Sequence, residues 1–318
     1  MPKILAADVG ATKVLLLAYD TQSQSTVAEA RYLSKDFDSL SNLVRQFQQD
    51  YQLPQLTSAV FGVPGPVQGR QVNLTNLPWQ IEADELGTLC HIDRVELVND
   101  FYAAALGIDE LQADDLLSLQ KGTAQPEGNR LVIGAGSGLG VAPVKNCQGH
   151  FIPEPSEGGH MDFAPVTDQQ VQILSWLRQK WAHVSYERLL SGEGLETLYN
   201  FYNVQSHGHG RKRIKAADMA DSARSNDFIA QQTLKTFVEV YGAYVGNAAL
   251  IWDAQAGIYI AGGIAPKIQD WMQSPKFINA MHNKGRMRHK VAQLPVQLVT
   301  NESVGLLGAF RAAKQQLA

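Results

Sequence analysis

The chain has 318 residues, 45% apolar and 18% charged, which suits two packed domains, or one large domain with a cleft, and excludes a disordered chain. A formal net charge of −4 argues against nucleic acid or an anionic membrane as the main partner. Cys90 and Cys147 stand in no metal or redox spacing, no leader-like segment precedes the first strand, and no apolar run reaches the roughly 18 residues of a membrane span, so a reduced, cytoplasmic setting is expected.

Residues 4–9 form an apolar strand broken only by Asp8, and residues 14–19 form another. Gly10-Ala11-Thr12-Lys13 joins them, which predicts a hairpin with a tight turn. It could be an ordinary hairpin end or a phosphate cradle. Gly10 lets backbone approach an anion, the turn amides and the Thr12 hydroxyl can donate, and the Asp8 carboxylate suits hydrated Mg²⁺. No P-loop pattern occurs. Residues 39–52 predict an amphipathic helix on Leu40, Leu43, Val44 and Phe47. A strand at 59–63 runs into the rigid turn Pro64-Gly65-Pro66-Val67. Asn73, Asn76 and Trp79 read as surface turn residues, with the lining of a polar pocket as the alternative. A second helix ends over 86–91.

Residues 95–98 then close a buried strand, and 101–106 open an Ala/Leu-rich helix, leaving Asn99 and Asp100 at the junction. Ligands of open α/β sheets bind outside the carboxyl ends of strands, where a reacting carboxylate would stand. Asp100 could equally be a helix N-cap.

Residues 131–144 repeat the first layout: an apolar strand, the turn Gly134-Ala135-Gly136-Ser137-Gly138-Leu139-Gly140, and a second extended stretch. The repeat suggests two similar α/β halves facing a cleft, each with an anion-cradling turn. The glycine spacing is not a dinucleotide fingerprint, because strand rather than helix follows. Residues 154–163 place Glu157 and His160 on a loop around Gly158 and Gly159. With Glu187 they could hydrogen-bond sugar hydroxyls; a metal site or a plain surface loop are the alternatives.

Residues 171–181 predict an amphipathic helix, and Ser185 a cap for a short helix ending at Gly192. The helix boundary between His183 and Glu187 argues against a shared metal. Helix is expected over 195–202, 216–224 and 228–252, the last with Gly242 and Gly246 in close helix contact and Phe237, Tyr241 and Tyr244 in the core. Residues 205–213, carrying His207 and His209, read as a flexible basic loop. A strand at 257–261 meets Gly262-Gly263, bare backbone on which an adenine could lie. A strand at 296–300 and a final helix at 304–316 close the chain, with Asn301 or Ser303 as cap and Gly305 and Gly308 packing on a sheet.

Asp8-x-Gly10-x-Thr12, Asn99-Asp100, Gly134-x-Gly136-x-Gly138-x-Gly140, Glu157-Gly-Gly-His160, Glu187-Arg-x-Leu-Ser-Gly-x-Gly-Leu195 and Ala261-Gly-Gly-Ile264 together resemble bacterial ATP-dependent glucokinase, of the proteobacterial and cyanobacterial type. The resemblance covers nearly the whole chain. It implies an α/β protein of two ribonuclease-H-like, actin-like ATPase domains flanking a deep cleft, 1–110 plus 301–318 and 111–300. It implies ATP with Mg²⁺, glucose as acceptor, no zinc, a cytoplasmic setting and a homodimer. Asp100 is then the general base on the 6-hydroxyl, and Asn99, Glu157, His160 and Glu187 hydroxyl ligands beside the Gly138 backbone. Asp8, Gly10, Ala11, Thr12, Lys13, Ser137, Gly138, Gly262 and Gly263 form the nucleotide side, with Asp8 on Mg²⁺ through water. Ala11 replaces the pattern's usual Gly, and Lys13 its frequent Asn. The related ROK sugar kinases usually carry a cysteine-rich zinc motif, whereas no cysteine follows Cys147 here. A ROK-type kinase for another hexose, a non-catalytic sugar sensor and an actin-like ATPase acting on protein are the competing expectations.

Overall fold

The structure is a computed structural model that describes residues 3–74, 77–208 and 213–316. The chain divides into two compact units, Met1–Ala113 with Asn301–Ala318, and Asp114–Thr300.

In the first unit, β1 (Lys3–Val9), β2 (Lys13–Asp20) and β3 (Ser25–Leu33) form an antiparallel meander. Helix α1 (Leu40–Asp50), capped by the Ser39 side chain, leads to β4 (Leu56–Val63). The short ladder of β5 (Gln71–Asn73) and β6 (Gln80–Glu82) precedes α2 (Ala83–Cys90), β7 (Ile92–Asn99) and α3 (Asp100–Gly107). Sheet order is β3-β2-β1-β4-β7, with β4 and β7 parallel to β1. Both faces of β1 are covered, which is why it reads as an unbroken apolar run rather than an alternating one. Leu5 and Ala7 share a core with Leu43, Val44 and Phe47 of α1, whereas Ile4 and Ala6 meet Leu306, Ala309 and Ala313 of the C-terminal helix, Val304–Gln315.

That helix crosses α3 at backbone contact. A Cβ on Gly308 would lie 1.6 Å from the Ala103 carbonyl oxygen, and one on Gly107 2.0 Å from that of Val304. Gly308 therefore packs on a helix and not on a sheet, while Gly305 does reach the sheet, at Asp8. Because backbone cannot give way as a side chain would, Gly308→Ala is expected to cost about 3 kcal/mol, the upper range for overpacking. Gly263→Ala, which faces open space, should stay within about 0.5 kcal/mol of the parent. Denaturant melts of the two variants check this.

The second unit contains β8 (Leu116–Gln120), β9 (Arg130–Ala135), β10 (Leu139–Cys147) and β11 (His150–Pro153). Four helices follow: α4 (Asp168–Leu177), α5 (Gly192–His207), α6 (Met219–Arg224) and α7 (Phe228–Trp252). Then come β12 (Gly257–Ala261), the short α8 (Gln269–Met272), α9 (Pro275–His282), α10 (Arg288–Val291) and β13 (Val296–Val299). Sheet order is β11-β10-β9-β12-β13-β8. The β9–β10–β11 meander followed by parallel β12 and β13 repeats the topology of the first unit, with antiparallel β8 added at one edge. Phe237, Tyr241 and Tyr244 of α7 are in the core, and Gly242 and Gly246 admit the carbonyls of Phe277 and Met281 on α9.

Several expectations are corrected. Trp79 is buried in the first core, not in a turn or polar pocket; Asn76 lies outside the described residues. Only a 3-10 turn, Tyr186–Arg188, forms after Ser185, and Gly192 opens α5 instead of ending a helix. The expected loop at 205 is still helix through His207, and His209 lies outside the described residues. Asn301, not Ser303, accepts at the start of the C-terminal helix, from the Ser303 amide. Among the described residues no helix is long and apolar enough to cross a membrane.

Candidate active site

The first unit gathers its candidates at the carboxyl ends of its parallel strands. Asp8 on β1 stands in register with Gly62 on β4, and Gly62 with Val98 on β7, one residue short of Asn99. Asn99, not Asp100, is the N-cap of α3. Its Oδ1 accepts from the amides of Phe101 and Tyr102, and its Nδ2 donates 3.2 Å to the Gly65 carbonyl, tying the Pro64-Gly65 turn to the helix start. Asp100 is thereby the first helical residue, half-buried, with the capping role already filled by its neighbour.

The first glycine turn is held from beneath by a residue that sequence reading missed. Ser34, fully buried in a 3-10 turn, donates its hydroxyl to the Gly10 carbonyl at 2.7 Å and its amide to the Thr12 carbonyl at 3.1 Å. The Gly10 amide is spent on the Lys13 carbonyl. Lys13 reaches back to Glu302, 2.7 Å away, just before the C-terminal helix. Nothing local marks a serine 24 positions downstream as part of this turn.

Burial raises the Asp8 pKa from its ordinary 3.8 to about 6, with Lys13 opposing the shift. The sign follows from linkage: the folded chain holds a proton that the unfolded chain has lost, so stability from this group is full below about 4 and gone above about 6. Asp8→Asn is therefore expected to melt higher than the parent in ligand-free protein, with the gap widening from pH 4 to 6 and level beyond. Thermal melts across that range read it. Among the described residues no group of three or more His, Cys, Asp or Glu could hold a metal ion.

In the second unit, three separate segments meet at Leu139. The Leu139 amide donates to Glu187 Oε2 at 2.9 Å. The Leu139 carbonyl sits where a Cβ on Gly159 would fall, 2.0 Å away, so the second glycine of the Glu157–His160 loop seats that loop on β10. Gly138 likewise leaves no room for a side chain, since Glu187 Oε2 would be 2.6 Å from its Cβ. Backbone bonds from Tyr186 to Met161 and from Phe163 to Val184 zip the loop to the Glu187 turn. His160 consequently stands 3.9 Å from Glu157 and 3.9 Å from Glu187, each through a different ring nitrogen. The three side chains that sequence placed on a glycine loop and beyond a helix boundary are thus one constellation, with Glu157 and His160 largely exposed.

The second glycine turn adjoins the third. The amides of Gly192 and Ile264 donate to the carbonyls of Gly136 and Ala135, and Gly262, at φ +82°, packs on Ala135. Gly136 and Gly263 face open space, and Ser137 is exposed, so bare backbone and one hydroxyl are on offer there. Two surface cavities carry none of these residues. One of about 710 Å³, lined by Arg70, Asp84, His91 and Asp93, lies at the amino ends of β4 and β7. The other, about 480 Å³, is lined by Trp176, Trp181, Glu193 and Arg213.

A sequence profile described as glucokinase matches residues 5–316. The glucokinase of Nostoc sp. is 36% identical, with 97% of this chain and 98% of that protein aligned. The crystal structure of a glucokinase from an Antarctic psychrotroph superposes with a TM-score of 0.83 at 30% identity, covering 99% of both chains. A ROK family glucokinase from Streptomyces griseus, solved with glucose and AMPPNP, shares the fold at a TM-score of 0.67 and 18% identity, covering 98% of this chain and 99% of that one. The profile, sequence and fold matches each span nearly the whole chain: the chain belongs to the glucokinase family.

Proposed function

We propose that the chain transfers the γ-phosphoryl of ATP to the 6-hydroxyl of glucose, giving glucose 6-phosphate and ADP. The observation that carries this is the Leu139 junction, where two carboxylates and an imidazole from two loops are fixed beside a glycine turn. A carboxylate accepts from two hydroxyls and an imidazole can donate or accept, a set that matches the alternating hydroxyls of a hexose better than a planar or apolar ligand.

The matching sheet topologies support two ribonuclease-H-like domains, one per unit. On this reading Asp100 accepts the 6-hydroxyl proton as the oxygen attacks, and Asn99, by capping α3, fixes where that carboxylate stands. Glu157, His160, Glu187 and the Gly138 backbone orient the sugar. Amides of Ala11, Thr12, Lys13, Ser137 and Gly138 with the Thr12 and Ser137 hydroxyls surround the phosphates, Gly10 closes the turn beneath them, and Gly262-Gly263 lies under the base. Asp8, a hard oxygen donor, would hold Mg²⁺ through water. When bound, it neutralises the phosphate oxygens. Closure around glucose excludes water, which keeps ATP from hydrolysis. The same reading carries a cytoplasmic homodimer.

The test is ADP release from ATP and Mg²⁺ across glucose, mannose, glucosamine and fructose. Turnover that requires a hexose and is fastest with glucose is expected. ADP release indifferent to sugar would remove the assignment.

A further inference from the structure

The strongest unexplained group in the second unit is the Tyr244 hydroxyl. Tyr244 is fully buried in α7, and its hydroxyl has no hydrogen-bond partner. Its ring packs on Tyr186, centroids 4.6 Å apart, directly before Glu187 in the chain. The contrast between the two tyrosines is the clue: the Tyr186 hydroxyl accepts from Asn247 Nδ2 at 3.1 Å. A buried orphan hydroxyl is costly and uncommon, so its persistence asks for a partner in some other state.

That partner lies overhead. A Cβ on Gly158 would stand 3.2 Å from the Tyr244 oxygen and 3.2 Å from Ser156 Oγ. The Gly158 amide is already spent on Ser156 Oγ, at 3.0 Å. The carbonyls of Glu157 and Gly158 each accept one amide, from His160 and Met161, and each keeps a second lone pair. Tyr244 thus meets the chain neighbours of both halves of the constellation, Tyr186 beside Glu187 through its ring and Gly158 between Glu157 and His160 through its hydroxyl.

We propose that Tyr244 is a positioning residue of the hexose site, whose hydroxyl gains a backbone carbonyl of the Glu157–Gly158 turn when a hexose draws that loop inward. The inference rests on the kinase reading above and names a residue outside it. Free protein carries the orphan, and the sugar-bound protein relieves it, so sugar affinity includes one hydrogen bond made remote from the sugar.

Tyr244→Phe separates this from a packing role, because its two consequences have opposite signs. The Michaelis constant for glucose should rise roughly three- to tenfold, the worth of one neutral hydrogen bond. The kcat and the Michaelis constant for ATP should stay within about twofold. The melting temperature of free protein should hold or rise, and the upward shift on adding glucose should shrink. Gly158→Ala, whose methyl enters the gap, should weaken glucose in the same direction, and the double variant should be no worse than Gly158→Ala alone. An unchanged glucose constant in Tyr244→Phe, additive effects in the double variant, or a lower melting temperature would each overturn the proposal. The last would mean the hydroxyl is already bonded in free protein. Failure of the parent to phosphorylate any hexose would instead strike the kinase reading.

Discussion

Asp100→Asn is expected to lower kcat by about 10²–10⁴, the usual range for losing a general base, with little change in fold or glucose binding. The amide is nearly isosteric, and the bond from the Phe101 amide to Asp100 Oδ1 can be kept by the Asn oxygen. The helix loses one favourable charge at its first turn, worth a few tenths of a kcal/mol, but not its cap, since Asn99 holds that role. The division of labour at this junction is what makes the experiment clean. Had Asp100 been the cap, a fall in kcat could have reported a frayed helix. Single-turnover rates with ATP, alongside glucose binding by calorimetry, distinguish lost chemistry from lost binding. A near-normal kcat removes Asp100 from the mechanism.

The parts of this structure that sequence made legible are those in which one short segment carries the whole signal. The hairpins around Gly10 and Gly136 are strand, turn and strand in direct succession, and the 25 residues of α7 hold an unbroken helical pattern. The Asn99-Asp100 pair was placed at its strand–helix junction, although which of the two caps depends on a rotamer that residue type does not fix. Strands β3, β8 and β11 escaped because edge strands pair on one side and bury little. β3 shows a single buried residue, Ala28, and β8 none. Other misses are long-range. Ser34 joins the phosphate turn across 24 residues, and the Gly308 contact joins α3 to a helix some 200 positions later. Trp79 looked like a turn residue because its neighbours are Asn and Pro, yet the core has room for its ring. At Glu187, sequence could name the carboxylate but not its second task, holding the Leu139 amide.

That second task gives the other large expectation. Glu187 has two oxygens with two jobs: Oε2 accepts from Leu139, and Oε1 faces His160 on the side proposed for sugar. Glu187→Ala removes both. A hydrogen bond to a charged group is worth about 1.5–3 kcal/mol, so losing sugar contact and turn support together should cut kcat/KM for glucose by about 10²–10⁴. It should also raise the Michaelis constant for ATP, because the glycine turn before Leu139 loses its anchor. Glu187→Gln keeps one oxygen for the Leu139 amide and loses the charge. It should therefore leave the ATP constant near that of the parent while still costing glucose about tenfold or more. The pair of variants reads the coupling between the sugar side and the phosphate side directly. Equal ATP constants in the Ala and Gln variants would show that the Leu139 bond does nothing for the nucleotide, leaving Glu187 a sugar ligand alone.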